Sequence, residues 1–224
     1  RAMSTCDAIC FSTSLLRDIY VKGYRQRLGK DLRLPELYVC RNNVDARDWP
    51  ERIERTGPIR VGWMGSPSHV WDVDIAWPAL LFAARAGAET HMVGYNPCDP
   101  GFPVTSKRAA QKMKEWAKVG FVHTPWTTPA QYHRLALPLD IGLCPLLTNE
   151  NTVGKSDVKA VEYTISGAAV IAQNNPVYNR TFVHGETALL VGSPQEMLDA
   201  TALLLRDERL RERLVANAQQ YVRE

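Results

Sequence analysis

The chain has 224 residues, 45% of them hydrophobic and 23% charged, with a formal net charge of +3. That is enough to bury a sizeable core, as one large domain or one domain plus a fragment, while so small a charge argues against a nucleic-acid partner. The longest apolar runs fall short of the roughly 18 residues of a membrane span, and five widely spaced cysteines (Cys6, Cys10, Cys40, Cys98, Cys144) without a C-x-x-C pair argue against a zinc site or a disulfide framework and suit a cytoplasmic protein with reduced thiols.

In chain order, the opening RAMSTCDAIC lacks an apolar signal segment and an obvious natural start, so an upstream part is expected to be missing. DAICFS (7–12) reads as a strand, followed by a helix to about Leu28. The basic run KGYRQRLGKDLR (22–33) is read as a solvated face of that region. LYVC (37–40) is a second strand, ending in the polar cluster RNNVD (41–45), and residues 46–57 read as a linker containing Pro50 and Gly57.

From Ile59 the pattern becomes regular. IRVGWMG (59–65) is a buried strand ending in glycine, 69–87 a helix carrying Pro78 as a possible kink, and THMVGY (90–95) a strand. A helix over 106–120 starts at Ser106 and stops at Gly120, then come strand 121–126, a short helix 129–137 and strand 139–146. A polar loop leads into a helix from about Ser156 to Ser166; strands 168–172 and 187–191 and helices near 194–205 and 207–222 close the chain. Strands alternating with helices predict an α/β fold: a Rossmann-like, doubly wound parallel sheet with helices on both faces. Ligands in such folds bind beyond the carboxyl ends of the strands, so function is expected in loops 65–69, 94–105, 124–128 and 146–156.

Gly154-Lys155-Ser156 imitates the end of a phosphate-binding P-loop, but the first glycine of that motif falls on Asn149 and LCPLLTNENTV separates the preceding strand from it. A helix start with open amides, with Ser156 or Asp157 as its cap and Lys155 beside it, still makes an anion site; an ordinary capped helix with a solvated lysine fits the same residues. Val158, Val161 and Ile165 are expected to form the buried face of that helix, with Glu162 at its edge. A carboxylate there needs a partner, either an arginine of the fold or a pair of ligand hydroxyls. Gly65 permits a tight turn and close approach to the backbone, with donors on Ser66, Ser68 and His69. That turn is not the G-x-G-x-x-G of dinucleotide sites. Asp72-Val73-Asp74 matches a metal-holding D-x-D, but inside a helix its two carboxylates point apart. The five histidines have no metal-ligand spacing, and G-x-S-x-G is absent.

Taken in order from 59 to 191, these pieces resemble the carboxyl-terminal half of a GT-B glycosyltransferase of the "glycosyl transferases group 1" family. RNNVD is similar to that family's PNGVD at the domain junction, VGWMGS to its first strand and glycine turn, KAVEYTISGAAVIA to LEAMAxGxPVVA, and VHGETALLV to xxGxxGLLV. The resemblance implies that residues 1–45 end an acceptor-type domain and that 58–224 bind a nucleoside-diphosphate sugar, which is transferred with retention and without a metal or other cofactor. Glu162 matches the second glutamate of the family's E-x7-E and is expected to hold the donor ribose; the first falls on Gly154 and is missing. In its place the chain resembles a subgroup reading KSDxKxLEY, and Lys155 is expected to contact the diphosphate. Lys155 and Glu162 are thus the candidate catalytic residues. Gly65, Ser66, Ser68, His69, His123, Trp126, Thr152, Val153, Gly154 and Ser156 complete the expected donor site, Trp126 as a stacking platform for the base or else as a core residue. Two alternatives stand beside this: a non-catalytic module of the same fold, favoured by the missing glutamate and by the missing basic pair after the first glycine turn, and a sugar-nucleotide epimerase. The acceptor, the sugar and the base are not named by these residues.

Overall fold

The computed structural model describes residues 5–29, 33–45, 47, 56–96, 107–128, 131, 139–150 and 152–223. Two parallel sheets are formed. The smaller pairs β1 (Ala8–Phe11) with β2 (Glu36–Val39), joined by helix α1 (Ser14–Leu28). Thr13 starts α1: its hydroxyl accepts the Leu16 amide at 3.0 Å, satisfying one of the donors a helix start leaves open.

The larger sheet contains β3 (Arg60–Gly65), β4 (Glu89–Gly94), β5 (Val122–Thr124), β6 (Ile141–Cys144), β7 (Ala169–Gln173) and β8 (Leu189–Val191), in the spatial order β5-β4-β3-β6-β7-β8. All five pairings are parallel. The chain builds outward from β3 to β5, returns to place β6 on the other side of β3, and then builds outward again. The order therefore reverses between β3 and β6, and in open α/β sheets a crevice opens at that switch point.

Helices cover both faces. After a short 3-10 turn (Pro67–His69), α2 (Val70–Arg85) leads into β4, and α3 (Lys107–Val119) into β5. Helix α4 (Val158–Ile165) links β6 to β7, and α5 (Pro194–Arg206) and α6 (Glu208–Arg223) follow β8. The strands' two-residue period sorts the core into two layers. Val61 and Trp63 of β3 face α2 and α5 with Ile141, Leu143 and Ile171. Met64 faces the opposite layer, with Cys144, Ala160, Tyr163, Val170 and Phe182.

The boundaries fall within two or three residues of those predicted for the described elements. Two differences have physical causes. The helix expected from Ser156 begins at Val158, because the segment before it is folded into turns, with Lys155 N–H donating to Thr152 O at 3.0 Å. Its buried face is Ala160, Tyr163 and Thr164, not Val158, Val161 and Ile165, which are half-buried. The packing partner decides this: the Tyr163 ring fills the space left by Gly142, where a Cβ would lie 2.4 Å from the ring, and this turns the helix. Most of the linker 46–57, most of the short helix expected over 129–137, and Ser106 and Cys98 lie outside the described residues.

Candidate functional site

The crevice at the carboxyl ends of β3 and β6 is built by glycines and closed by helix starts. Gly94 has φ +87°, and its Cα stands where a side chain would meet the Gly65 carbonyl at 2.7 Å. Only glycine fits there, and the backbones of β3 and β4 stay bare at their ends. Gly65 lies against the Trp63 indole, with no room for a Cβ. A small cavity of about 50 Å³ opens here, lined by Gly65, Gly94, Pro125, Trp126, Thr127 and Lys159.

Trp126 is not a core residue. Its side chain is 55% exposed, with the ring edge against Gly94. His123 is half-buried, its Nε2 3.1 Å from the Gly94 carbonyl. The turn after β3 is internally bonded: the Ser66 and Ser68 hydroxyls lie 2.5 Å apart, and His69 Nδ1 lies 2.6 Å from an Asp72 carboxylate oxygen. The other Asp72 oxygen accepts the Leu147 amide at 2.8 Å, so this carboxylate, 3% exposed, braces the start of α2 to the loop after β6. Asp74 pairs instead with Lys112. The two carboxylates of the D-x-D thus serve different partners, as helical spacing requires.

The loop between β6 and α4 carries most of the predicted donor residues. Thr152 closes it through its hydroxyl, which donates to the Leu147 carbonyl and accepts the Asn149 amide at 2.9 Å, while Val153 N–H donates to Asn149 O at 3.1 Å. Gly154 is buried against α1: a Cβ there would meet Leu16 Cδ1 at 2.9 Å and Leu16 Cα at 3.0 Å. Thr13 donates its hydroxyl to the Gly154 carbonyl at 2.8 Å, Asn42 donates to the Ser156 hydroxyl at 2.8 Å, and Arg180 donates to the Lys155 carbonyl at 2.7 Å. Asp157, the first residue before α4, does not cap it; its carboxylate accepts the Thr181 hydroxyl. Among the described residues the backbone amides of Asp157, Val158 and Lys159 therefore have no acceptor. One flank of the loop is closed by the amino-terminal unit, and the start of α4 keeps its open donors and its positive dipole end.

Glu162 is half-buried and close enough to Cys144 and Lys159 to act on the charge of both. Burial pushes the Cys144 thiol up to about 12, which makes it inert, and pushes the Tyr178 hydroxyl beside it well above its ordinary value. Burial also holds Lys159 below the usual lysine range; Cys144 and Asp72 oppose that shift and Lys155 adds to it. The Lys159 ammonium stands 5.0 Å from the centre of the Trp63 ring.

The expected site residues are thus gathered at one end of the sheet: Gly65, Ser66, Ser68, His69, His123 and Trp126 around the β3–β4 side, and Thr152 to Glu162 on the β6 side. Sequence reasoning missed Lys159, Trp63, Asp72 as a brace, and the Leu16 contact. Lys159 had a readable signal, since it is the one basic residue of the helix VKAVEYTI. A larger cavity of about 520 Å³ lies on the far flank of α4, between Thr13, Arg41, Asn42, Arg180 and Tyr221.

This fold and crevice define the class: a doubly wound parallel α/β domain with open helix-start amides beside its switch point. The sequence over residues 79–224 matches the family described as glycosyl transferase-like. The chain belongs to that family, and its fold is the carboxyl-terminal half of the GT-B glycosyltransferase architecture. No curated protein sequence matches it. Among solved structures it is similar to a TarM variant from S. aureus in complex with UDP, at 12% identity and TM-score 0.68, covering 98% of this chain and 41% of that one. It is also similar to Alr3699/HepE from Anabaena in complex with UDP and glucose, at 14% identity and TM-score 0.67, covering 99% and 59%. The C-terminal domain of the glycosyl transferase group 1 family protein LpcC from Francisella tularensis matches at 20% identity and TM-score 0.59, over 81% of this chain and 97% of that domain. The chain thus spans roughly half the length of the TarM and HepE proteins it resembles. Among the described residues no helix is long and apolar enough to cross a membrane.

Proposed function

We propose that this chain is the donor-binding portion of a retaining, metal-independent glycosyltransferase that takes a nucleoside-diphosphate sugar. The observation that carries the reading is the crevice at the strand ends, where bare glycine backbone shares a cavity with Lys159 of α4, whose start keeps open amides, in a member of the glycosyl transferase-like family. Oriented amides, a helix dipole and a lysine can stabilise the charge that grows on a nucleoside-diphosphate leaving group as the glycosidic bond breaks. In this reading Glu162 accepts two hydrogen bonds from the ribose, Lys155 stands by the diphosphate, and the exposed face of Trp126 stacks on the base. The UDP bound by the TarM and HepE proteins makes a uridine nucleotide the first probe to use. In this reading residues 1–45 belong to an acceptor-type domain.

Calorimetric titration with UDP, GDP and ADP tests the reading. One nucleotide binds the wild type, and Glu162→Ala weakens it about tenfold or more, the loss of a charge-assisted bidentate contact. A wild type that binds none of the three at millimolar concentration overturns it. The buried Gly154, seated where the family has a glutamate, favours a second reading as a non-catalytic module; that reading predicts no rise in melting temperature with any nucleotide.

A further inference from the structure

The cavity of about 520 Å³ on the far flank of α4 is separate from the strand-end crevice, and no residue lines both. Its volume falls in the range of roughly 300–1,000 Å³ usual for small-molecule sites. Its two walls come from distant parts of the chain. One is the start of α1 with the segment Arg41–Val44; the other is α4 with Arg180, Thr181 and the end of α6. Two hydrogen bonds cross between the walls, each 2.8 Å long: Asn42 donates to the Ser156 hydroxyl, and Thr13 donates to the Gly154 carbonyl. The spacing of the walls is therefore set by the fold. Arg180 is half-buried and gives one nitrogen to the Lys155 carbonyl at 2.7 Å, which holds its fork in place. Arg41 has no hydrogen bond or ion pair among the described residues, and neither guanidinium has a carboxylate within ion-pairing distance there. Asp157 supplies the one carboxylate among the described lining residues. Its Oδ2 accepts the Thr181 hydroxyl, while its Oδ1 has no hydrogen bond among the described residues.

Two guanidiniums against one carboxylate leave the cavity net positive, and an arginine can only donate. A ligand that uses both arginines brings a negatively charged acceptor. A bare anion does not fit the rest of the lining. Asp157 repels it, and the side chains of Ser12, Ser14 and Asn43, which have no hydrogen bond among the described residues, both donate and accept. Ligand hydroxyls match such groups, and a hydroxyl can donate to the open Asp157 oxygen. Half-buried Val161 and Ile165 and the exposed ring of Tyr221 add apolar surface, against which the C–H face of a sugar ring can pack. We propose that this cavity binds a sugar bearing a carboxylate or phosphate group, with the charge on Arg41 and Arg180 and the ring hydroxyls on Asp157, the serines and Asn43. This does not rest on the donor reading, because the cavity shares no lining residue with the crevice.

The test titrates glucuronic acid, glucose 6-phosphate, glucose and inorganic phosphate calorimetrically into the full chain, Arg41→Met and Tyr221→Ala, with UDP titrated alongside. Both substituted side chains are exposed, and melting temperatures check that the variants fold. One acidic sugar at least is expected to bind the wild type about tenfold or more tightly than glucose or phosphate. The tighter of the two shows whether the anion is a carboxylate or a phosphate. Arg41→Met is expected to weaken the acidic sugar about tenfold and glucose hardly at all, and Tyr221→Ala to weaken the acidic sugar several-fold, with UDP affinity unchanged in both. If glucose or phosphate binds as tightly as the acidic sugars, or if no sugar binds at millimolar concentration, the proposal is overturned. If UDP displaces the acidic sugar, the sugar sits in the crevice, and the proposal falls while the donor reading stands. If the acidic sugar binds and no nucleotide does, the proposal stands and the donor reading falls. Should Arg41→Met fail to fold, Tyr221→Ala decides: unchanged affinity for the acidic sugar overturns the proposal.

Discussion

At the scale of single residues, Gly154 shows how a missing side chain carries information. The position aligns with a family glutamate, and the expectation from sequence is a lost contact to the sugar. The structure adds a reason for the loss, since Leu16 of α1 occupies the space a side chain would need, with both Cδ1 and backbone Cα at 3.0 Å or less. Leucine Cδ1 can swing away; the helix backbone cannot. Gly154→Glu is therefore expected to destabilise the fold by about 2 kcal/mol or more, as overpacking does, and not to improve nucleotide affinity. Urea denaturation alongside UDP titration checks both parts. A variant as stable as the wild type that binds UDP more tightly would show that α1 yields and that the glutamate site is intact.

At the scale of elements, α4 is aimed by one tyrosine. Its start carries the open amides, so its tilt against β3 and β6 decides what those amides face. Tyr163 sets that tilt in two ways. Its ring fills the gap over Gly142, and its hydroxyl accepts the Met64 amide of β3 at 2.9 Å. A strand amide so close to the sheet's carboxyl end is thereby satisfied by a helix side chain. Gly142→Ala would put a methyl 2.4 Å from that buried ring. We expect it to cost about 1–3 kcal/mol and to weaken nucleotide binding more than its distance from the ligand suggests, because the displaced ring carries α4 with it. Measuring unfolding and UDP affinity on the same sample separates the two effects; a loss of stability with UDP affinity untouched would mean that α4 is positioned by something else.

At the scale of the molecule, alkaline stability reports on the second core layer. Cys144 has an ordinary thiol value of 9.0 when exposed and about 12 when buried under α4 beside Tyr178. In the folded state the thiol holds its proton more tightly than in the unfolded state. The stabilisation is therefore complete below pH 9 and is lost as the pH climbs toward 12, because only the unfolded chain releases the proton. That difference corresponds to about 4 kcal/mol at most. Cys144→Ala removes this component, so between pH 8 and pH 11 the variant should lose clearly less unfolding free energy than the wild type, as read from urea midpoints at each pH. Equal losses would show that the thiol is not sealed. The Tyr178 hydroxyl shares the environment and is raised for the same reason, so part of the alkaline slope remains.

The alternation of apolar strands and helices was legible from sequence alone, and with it the parallel α/β class and the strand boundaries. These depend on local chain properties: two-residue and 3.6-residue periods, turn glycines and helix stops. The position of Glu162 and Trp126 near one end of the sheet followed from that same pattern. Three things did not follow. The burial of α4 on Ala160, Tyr163 and Thr164 depends on a gap at Gly142, a residue of another element. The covering of Gly154 depends on Leu16, which lies far away in the chain and comes near only because α1 packs back on the loop. The meeting of Lys159 with Trp63 depends on the sheet order reversing between β3 and β6, which brings residues from opposite core layers to one edge. Periodicity fixes which face of an element is apolar; it carries no record of which distant residue fills the space against it, and that was decided only by tertiary packing.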